Sequence, residues 1–503
     1  MSEGLLATDD GQDIAPPKHV EPSRTLHPDV APTLALVIML AVFTVVFARL
    51  VMLRHNRFRT IDFDLGIHDQ SIWLLSRFRS FCTVRGLPVF GHHATFAYVL
   101  LVPLAWLGGG PNLWNTLQVT AIAATALPLY RLARLRTGNT WLALVPAGVW
   151  LLQPSAQAFA WETFHPEVMA LPFLVWAYLA GERKQWSRFA LLLFITVCWK
   201  EDLSLAVMGL GLLYVIRRQR RVGAYLLAGG LAWFVVIGSV LVPHAAGGKT
   251  VYGGLYGDLG STPGQVVVRG LRHPTRIIRK LQQNEANVYV RDILAPTGLT
   301  PVAAPGALLI GLPQAFVNLL TYAEFTRDLH YHYQAVPLAA TALAMVEGIG
   351  VLYRGRRAWG RAAAGLALAS AFASTAVWGL GPQSVRYRTG FWPLLPTSDQ
   401  AARDEALRLI GPDDSVAADY FQVPHLTHRR VVYTFPNPWT NKNYGISNAS
   451  HGDQAAVKWI AVDRSLMGPP EMTLFNDLIS SGEFSIRRED GTFVLAERTS
   501  AIP

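Results

Sequence analysis

The sequence predicts an α-helical polytopic membrane protein that ends in a small α/β domain, and three observations carry this prediction. The 503 residues are 51% hydrophobic but only 16% charged, whereas soluble proteins carry about 25% charged residues. Apolar segments recur along the chain, and several approach the roughly 20 residues that cross a bilayer. From about residue 381 the chain instead alternates short apolar runs with polar turns, which is typical of a water-soluble domain.

The apolar segments predict about ten or eleven membrane spans, judged from bilayer thickness. Segment 93–107 is short enough to be re-entrant, and segment 301–320 is either re-entrant or paired with 276–300 as a broken helix. The predicted apolar segments are 32–53, 93–107, 112–130, 140–160, 168–181, 189–199, 203–216, 223–243, 301–320, 333–353 and 362–380.

Three regions follow from this pattern. Residues 1–31 are polar and proline-rich, and we expect a disordered cytoplasmic tail. Residues 32–380 form the membrane domain, with outer loops at 54–92 and 244–300. Residues 381–503 form the α/β domain, whose predicted elements are helices at Ala401–Ile410 and Met472–Ser481, strands at Val416–Tyr420, Val431–Phe435 and Val457–Val462, and a hairpin over Phe484–Glu497.

The loops alternate in charge. Arginine- and lysine-rich loops lie at one end of the helices, and loops with acidic residues and histidines lie at the other. By the positive-inside rule the basic loops face the cytoplasm, so the acidic loops and the α/β domain are extracytoplasmic. Arg54, Arg57 and Arg59 run against this pattern. The net charge of +10 is explained by the basic loops, and nothing indicates nucleic-acid binding.

The run from Phe63 to Gln70 is the first functional candidate. It brings Asp64 and Asp69 close to the first apolar segment, where a charge near lipid is costly unless it has a function. Either carboxylate could act as a general base on an acceptor hydroxyl, or help to hold a divalent cation near a phosphate. The alternative is a set of solvated charges or helix caps.

Further ionisable residues interrupt the apolar segments on the same side. They are His92 and His93; Glu162, His165 and Glu167; Lys200, Glu201 and Asp202; and His330, His332 and Tyr333. We predict that they meet in one outer pocket that binds substrate, where Lys200 could neutralise a phosphate. The alternatives are local pairs, such as an internal pair of Lys200 with a carboxylate. The spacing of His330 and His332 is a weak metal signal, and no residue is assigned as a metal ligand.

Several classes of protein are excluded by missing motifs. The sequence has no Walker A loop, no Gly-x-Ser-x-Gly elbow, no His-Glu-x-x-His and no dinucleotide fingerprint. An ATP-driven pump, a serine hydrolase or a zinc protease is therefore not expected. The helices also show no clear inverted repeat of the kind found in many secondary transporters.

At these motifs the chain resembles the bacterial membrane family DUF2079 and, more distantly, the GT-C superfamily of integral membrane glycosyltransferases. The resemblance covers about residues 35–495, and the order and spacing of several motifs carry it. These are Phe63-Asp64-Leu65-Gly66-Ile67 with Asp69, Gln70 and Trp73; Gly91-His92; Phe164-His165-Pro166; Lys200-Glu201-Asp202; His332-Tyr333; and Val423-Pro424-His425-Leu426 with Arg429.

The superfamily resemblance implies sugar transfer from a polyprenyl-phosphate donor on the extracytoplasmic side of the plasma membrane, by inverting displacement. Asp64 stands where these enzymes carry their catalytic aspartate, although Leu65 follows it where some of them have a second acidic residue. The implied partners are the donor, a cell-envelope glycan or lipid acceptor and membrane lipids. No cofactor is assigned, although a divalent cation could take part. The alternatives are a carrier or flippase for a lipid-linked or phosphorylated substrate, and an assembly factor.

Overall fold

A computed structural model describes residues 30–249, 251–252, 254–397, 399–441, 443–446 and 452–499. The chain is mostly helical, at 66%, with a small sheet near its C-terminal end. The first helix begins at Val30, two residues before the predicted start, and the predicted disordered tail otherwise lies outside the described residues.

The first half of the membrane region contains eleven α-helices. They are α1 (Val30–Asn56), α2 (Ile67–Ser76), α3 (Val89–His92), α4 (Tyr98–Trp106), α5 (Pro111–Thr137), α6 (Leu144–Leu152), α7 (Pro154–Glu162), α8 (Pro166–Met169), α9 (Leu171–Glu182), α10 (Trp186–Val197) and α11 (Ser204–Ile216). A two-residue hairpin, β1 (Phe81–Cys82) with β2 (Leu87–Pro88), lies between α2 and α3.

The rest of the membrane region continues from α12 to α20. These helices are α12 (Arg220–Trp233), α13 (Val242–Ala245), α14 (Pro263–Arg272), α15 (Pro274–Gln283), α16 (Ala286–Leu294), α17 (Leu312–Leu320), α18 (Ala335–Gly355), α19 (Arg357–Trp378) and α20 (Val385–Arg388). Within the described residues, three helical stretches are long and apolar enough to cross a membrane: Val30–Asn56, Arg220–Ala245 and His332–Gly355. The second of these runs from α12 through a π-helical stretch into α13.

Prolines interrupt the apolar segments and make several helices short. Pro154 and Pro166 stand at the first positions of α7 and α8, where the missing N–H of proline costs no hydrogen bond. Helix α4 has nine residues with Pro103 inside it, so at 1.5 Å per residue it spans only about 14 Å. It therefore does not cross a hydrocarbon core of about 30 Å as one helix.

Helix α18 lies at the centre of the helical region and is enclosed by other helices. It contacts α5, α9, α19 and the broken segment 300–310. That segment consists of 3₁₀ turns at Thr300–Ala303 and Pro305–Ile310, and a Cβ on Gly348 of α18 would lie 2.1 Å from the Thr300 carbonyl oxygen. The predicted segment 301–320 is therefore 3₁₀ turns followed by α17 and not one continuous helix, and its first turn packs closely against α18 at Gly348.

The predicted outer loop 244–300 contains more helix than expected. Helices α14, α15 and α16 occupy most of it, and their basic residues include Arg269, Arg272, Arg276, Arg279 and Lys280. Val267, Leu271 and Ile278 are exposed beside them. This mixture of basic and exposed apolar side chains is the pattern of an amphipathic surface helix.

The C-terminal domain forms a five-stranded sheet with two helices. Its elements are α21 (Gln400–Leu407), β3 (Val416–Ala418), β4 (Val432–Thr434), β5 (Trp459–Asp463), α22 (Pro469–Ser480), β6 (Phe484–Asp490) and β7 (Phe493–Arg498). The strand order is β4-β3-β5-β7-β6, with β3 parallel to β4 and β5 and with β7 antiparallel to β5 and β6. All seven elements form within a few residues of their predicted positions.

The sheet domain packs directly on the loop that follows α1. Thr83 Oγ1 in the β1–β2 hairpin donates to the Val432 carbonyl at 2.8 Å and accepts from the Val432 N–H at 3.0 Å. Thr434 Oγ1 donates to Asp62 at 2.5 Å. The C-terminal domain therefore covers the same loop that carries Asp64.

Candidate functional site

Asp64 lies in a π-helical turn, Asp62–Gly66, between α1 and α2. Leu65 and Gly66 in the same turn are buried, whereas the Asp64 side chain remains 23% exposed. Its Oδ1 lies 3.4 Å from His165 Nε2. Burial of the backbone around it anchors the turn, and the carboxylate remains reachable by a ligand.

The turn between α7 and α8 carries three of the predicted residues. Glu162 ends α7, and Thr163 follows with φ of 81°, a conformation that is rare for a β-branched residue. Gln118 of α5 holds this turn: its Nε2 donates to the Phe159 carbonyl at 2.7 Å and to the Thr163 carbonyl, and its Oε1 accepts from the His165 N–H. The strained turn is therefore fixed by one buried amide side chain.

His332, in the turn before α18, completes the group from a distant part of the chain. Its Nδ1 lies 2.6 Å from Glu162 Oε1, and its backbone N–H donates to Glu162 Oε2 at 2.5 Å. Its Nε2 lies 3.5 Å from Glu167 Oε1, and its ring stacks on the His165 ring with centroids 3.9 Å apart. The Tyr333 ring packs against His332 in a tilted arrangement, with centroids 4.1 Å apart.

Lys200 extends the group from the loop after α10. Its Nζ lies 2.7 Å from Glu167 Oε1 and 3.6 Å from Asp202 Oδ2, and its residue is only 6% exposed. The internal lysine–carboxylate pair left open by the sequence is thus present. We use the name central cluster for Asp64, Glu162, His165, Glu167, Lys200 and His332.

A second group of side chains continues from the central cluster. His93 Nδ1 lies 2.7 Å from Glu201 Oε1, and His92 Nε2 lies 2.8 Å from the Tyr252 hydroxyl. Arg85 packs its guanidinium over the Tyr252 ring at 5.6 Å and, with both histidines, lines one narrow crevice. His92, His93, Glu201, Tyr252 and Arg85 are called the histidine arm below.

Arg85 is the most unusual member of the histidine arm. It is 2% exposed, and no described residue accepts a hydrogen bond from its Nε or Nη2. A buried cation without full pairing is expensive, so such a group is a candidate for anion binding. The sequence analysis missed Arg85 because a lone arginine in a polar loop carries no local signal.

Two further residues beside the central cluster were not predicted as site residues. His68, between Asp64 and Asp69 in the sequence, contacts the Tyr98 hydroxyl through Nδ1, and its ring lies 5.9 Å from the His165 ring. Arg54 packs over Trp161 at 4.3 Å and donates to the Trp161 carbonyl. This contact explains why Arg54 departs from the charge pattern: its guanidinium stabilises the α7 terminus beside the central cluster.

Two predicted site residues lie outside both groups. Asp69 is fully buried, accepts from Trp114 Nε1 at 2.6 Å and from Thr427 Oγ1, and lies 3.2 Å from His428. These contacts tie α2 to the C-terminal domain and leave no access for a substrate hydroxyl. His330 pairs with Asp328 at 2.7 Å and with Arg386 at 2.9 Å, in a separate cavity. The other predicted residues belong to, or adjoin, the two groups.

Electrostatics in the central cluster favour positive charge at His165. Burial lowers the pKa of His165, but the charges of Glu162 and Asp64 outweigh burial and raise it to about 9. Burial raises the pKa of Asp64, but His165, His332 and His68 outweigh it and hold that pKa at about 2. Asp64 is therefore ionised at neutral pH and lies beside a protonated His165.

Comparison with known protein families identifies the chain at this point. The family model described as "Predicted membrane protein (DUF2079)" matches residues 54–494, a range that begins just before the Asp64 loop and ends in β7. The chain belongs to the DUF2079 family. Comparison with curated proteins gives no significant match. Family membership and the three long apolar helices together identify this DUF2079 protein as a membrane protein.

Proposed function

We propose that this DUF2079 protein is an integral membrane glycosyltransferase that takes a sugar from a polyprenyl phosphate and transfers it to a cell-envelope acceptor. The single observation that carries the proposal is the continuous contact path of the central cluster. Asp64, His165, His332, Glu167 and Lys200 come from four distant parts of the chain, and each lies within 4 Å of the next. Carboxylates and cations gathered at helix ends are costly near lipid unless they have a function.

The proposed reaction is an inverting displacement. The acceptor hydroxyl oxygen forms a bond to the anomeric carbon while the bond from that carbon to the phosphate oxygen breaks. The hydroxyl proton passes to Asp64, and polyprenyl phosphate leaves with the electron pair. Asp64 suits the role of general base because it is ionised and still accessible.

The leaving phosphate needs positive charge, and the histidine arm supplies it. Lys200 is already paired with Glu167 and Asp202, whereas Arg85 retains N–H groups without partners among the described residues. A guanidinium binds phosphate oxygens in a planar, two-point geometry. We therefore assign the main phosphate contact to Arg85, with His92 beside it, and a structural role to Lys200.

The basic end of the helices favours a transferase over a carrier. Arg136 makes two 2.7 Å hydrogen bonds to Glu347 and also pairs with Glu182. Tyr178 donates to Glu347 at 2.9 Å. Arg217 also pairs with Glu182, so two arginines and two glutamates neutralise one another around α5, α9 and α18. A carrier would need polar groups there that are free to meet a substrate.

The activity test compares Asp64 with a matched aspartate. Membranes containing the protein, Asp64→Asn, Asp64→Ala or the exposed control Asp258→Asn are incubated with a panel of radiolabelled polyprenyl-phosphate sugars. We expect transfer by the unaltered protein and the control, with a loss of about 100-fold or more in both Asp64 variants. Full transfer by both Asp64 variants would show that Asp64 is not part of the mechanism. Movement of the labelled donor across the vesicle membrane without sugar transfer would support the carrier instead.

The extracytoplasmic orientation of the site is part of the proposal and has its own test. Cys82 and Cys198 are first replaced by alanine, and single cysteines are then introduced at exposed positions, Ser480→Cys in α22 and Ser187→Cys beside the basic loop. A membrane-impermeant maleimide added to intact cells should label position 480 and not position 187. The reverse labelling would show that the protein has the opposite orientation in the membrane.

A further inference from the structure

We infer that Glu162, His165 and His332 form a binding site for one divalent transition-metal ion, of the Zn²⁺ or Mn²⁺ class, beside Asp64. Each residue offers one ligand atom, and these atoms all lie within 4.8 Å of one another. Donors bound to one ion at about 2.1 Å lie about 3 to 4 Å apart, so side-chain shifts of about 1 Å would close the set. Two imidazoles and a carboxylate are a donor set typical of Zn²⁺ and related ions.

The hydrogen bonding of His165 leaves one nitrogen ready to bind a metal. Its Nδ1 lies 3.2 Å from the Thr163 carbonyl, an acceptor, so Nδ1 carries the proton. A metal bound at Nε2 would replace the second ring proton there. Nε2 is buried and has no hydrogen-bond partner among the described residues. Nε2 lies 3.4 Å from Asp64 Oδ1 and 3.8 Å from Glu162 Oε1. Nε2 and two carboxylate oxygens therefore converge on one point, and an ion bound there would take the place of the Nε2 proton.

His332 lies between two carboxylates. Its Nδ1 is 2.6 Å from Glu162 Oε1, so a metal bound between these two atoms would replace the Nδ1 proton, and its Nε2 faces Glu167 at 3.5 Å. Glu167 is itself held by Lys200 at 2.7 Å. Metal-binding histidines usually direct their second nitrogen to a carboxylate, which fixes the ring and strengthens the ligand. Glu167 occupies that position.

The carboxylates of the central cluster provide oxygen ligands on several sides. Asp64, Glu162 and Glu167 face the ammonium group of Lys200 and the ring of His165. A divalent ion that replaced the proton on His165 Nε2 would add positive charge to this group and could contact a phosphate oxygen. That role for the ion rests on the proposed function, whereas the metal site itself does not.

The test measures metal binding directly on the full-length protein in detergent. The protein is stripped with EDTA, dialysed and titrated with Zn²⁺ and with Mn²⁺ by calorimetry, and bound Mn²⁺ is followed by its electron paramagnetic resonance signal. We expect one ion per chain. Since loss of an outer-shell partner alone costs up to about 100-fold in affinity, Glu162→Gln and His332→Gln should each weaken binding by more than that.

His330→Gln is the matched control, because it is the same substitution two residues away, in a separate cavity. It should bind the metal as the unaltered protein does. Folded unaltered protein that takes up no stoichiometric ion would overturn the site, and this result does not depend on whether any variant folds. Unchanged affinity in Glu162→Gln and His332→Gln, or equal loss in His330→Gln, would also overturn it.

The two proposals fail separately. If the protein transfers sugar but takes up no stoichiometric metal in the titration, the metal site is wrong and the transferase proposal stands. If each chain binds one ion, the ligand variants lose it and no donor supports transfer, the metal site stands and the transferase proposal is wrong.

Discussion

At the scale of single residues, Arg85 shows a conflict between stability and function. Its buried guanidinium lacks partners for two nitrogen atoms among the described residues, and such a group costs folding free energy. Proteins retain unfavourable groups of this kind mainly at functional sites. The orphaned nitrogens are thus the strongest single-residue signal for an anion at this site.

Replacement of Arg85 should separate stability from binding. We expect Arg85→Met to unfold at the same or a higher temperature, because it removes a buried charge. It should also weaken binding of the polyprenyl-phosphate donor, because a charged hydrogen bond contributes about 1.5–3 kcal/mol. The KM for the donor should therefore rise by about 10- to 100-fold. Thermal unfolding and donor titration measure the two effects, and a less stable variant with unchanged KM would make Arg85 a structural residue.

The pair of Lys200 and Glu167 should behave in the opposite way. Both residues are 6% exposed and 2.7 Å apart, and loss of one partner of a buried pair costs about 3–5 kcal/mol. Lys200→Met should therefore destabilise the protein strongly. The double variant Lys200→Met with Glu167→Gln should recover most of that loss in thermal unfolding. Equal instability of the single and double variants would show that the pair does not act as a unit.

At the scale of elements, the site depends on how α5 holds the turn between α7 and α8. Gln118 is 1% exposed and binds three backbone groups of that turn. The turn includes Thr163 at a positive φ, a backbone conformation that costs about 1–3 kcal/mol and persists only when its surroundings enforce it. One side chain on a neighbouring helix therefore sets the positions of Glu162 and His165.

Substitution of Gln118 tests this control. Gln118→Leu should destabilise the protein by about 1–3 kcal/mol, because buried backbone groups lose their partners. It should also weaken metal binding, although Gln118 is not a ligand. Thr120→Val, an exposed position two residues away, should change neither the unfolding temperature nor metal affinity. Unchanged metal affinity in Gln118→Leu would mean that the turn holds its shape alone.

At the scale of the whole molecule, the C-terminal domain is joined to the membrane region at several points. His425 stacks on His55 at the end of α1, with centroids 4.2 Å apart, and packs against the tilted ring of Phe58 at 4.1 Å. Asp69 of α2 accepts hydrogen bonds from this domain. Because these contacts lie beside the Asp64 turn, docking of the domain and the shape of the site are coupled.

Acid should loosen this docking through His425. Burial lowers the pKa of His425 to about 4, while an unfolded histidine titrates near 6.5. Between these values the unfolded state binds more protons, so stability is present above pH 6.5 and is lost as the pH falls towards 4. His425→Phe should flatten the fall in unfolding temperature across this range.

The matched control for that measurement is His273→Phe, an exposed position outside the interface. It should retain the acid sensitivity of the unaltered protein. An identical pH profile in His425→Phe would assign the acid sensitivity to other groups.

The sequence alone was sufficient to predict a helical membrane protein, the elements of the C-terminal domain and most of the residues that meet in the central cluster. These features depend on local properties: apolar length, strand periodicity and the cost of charges near lipid. The broken helices were visible because proline and glycine act on their own backbone.

Only the tertiary structure decided which charges meet. It separated Asp64 from Asp69 and His332 from His330, although each pair is close in sequence and alike in chemistry. It also brought in Arg85 and Gln118, whose roles depend on partners far away in the chain. The physical reason is that pairing energies fall steeply with distance and depend on burial, and neither quantity is a property of local sequence.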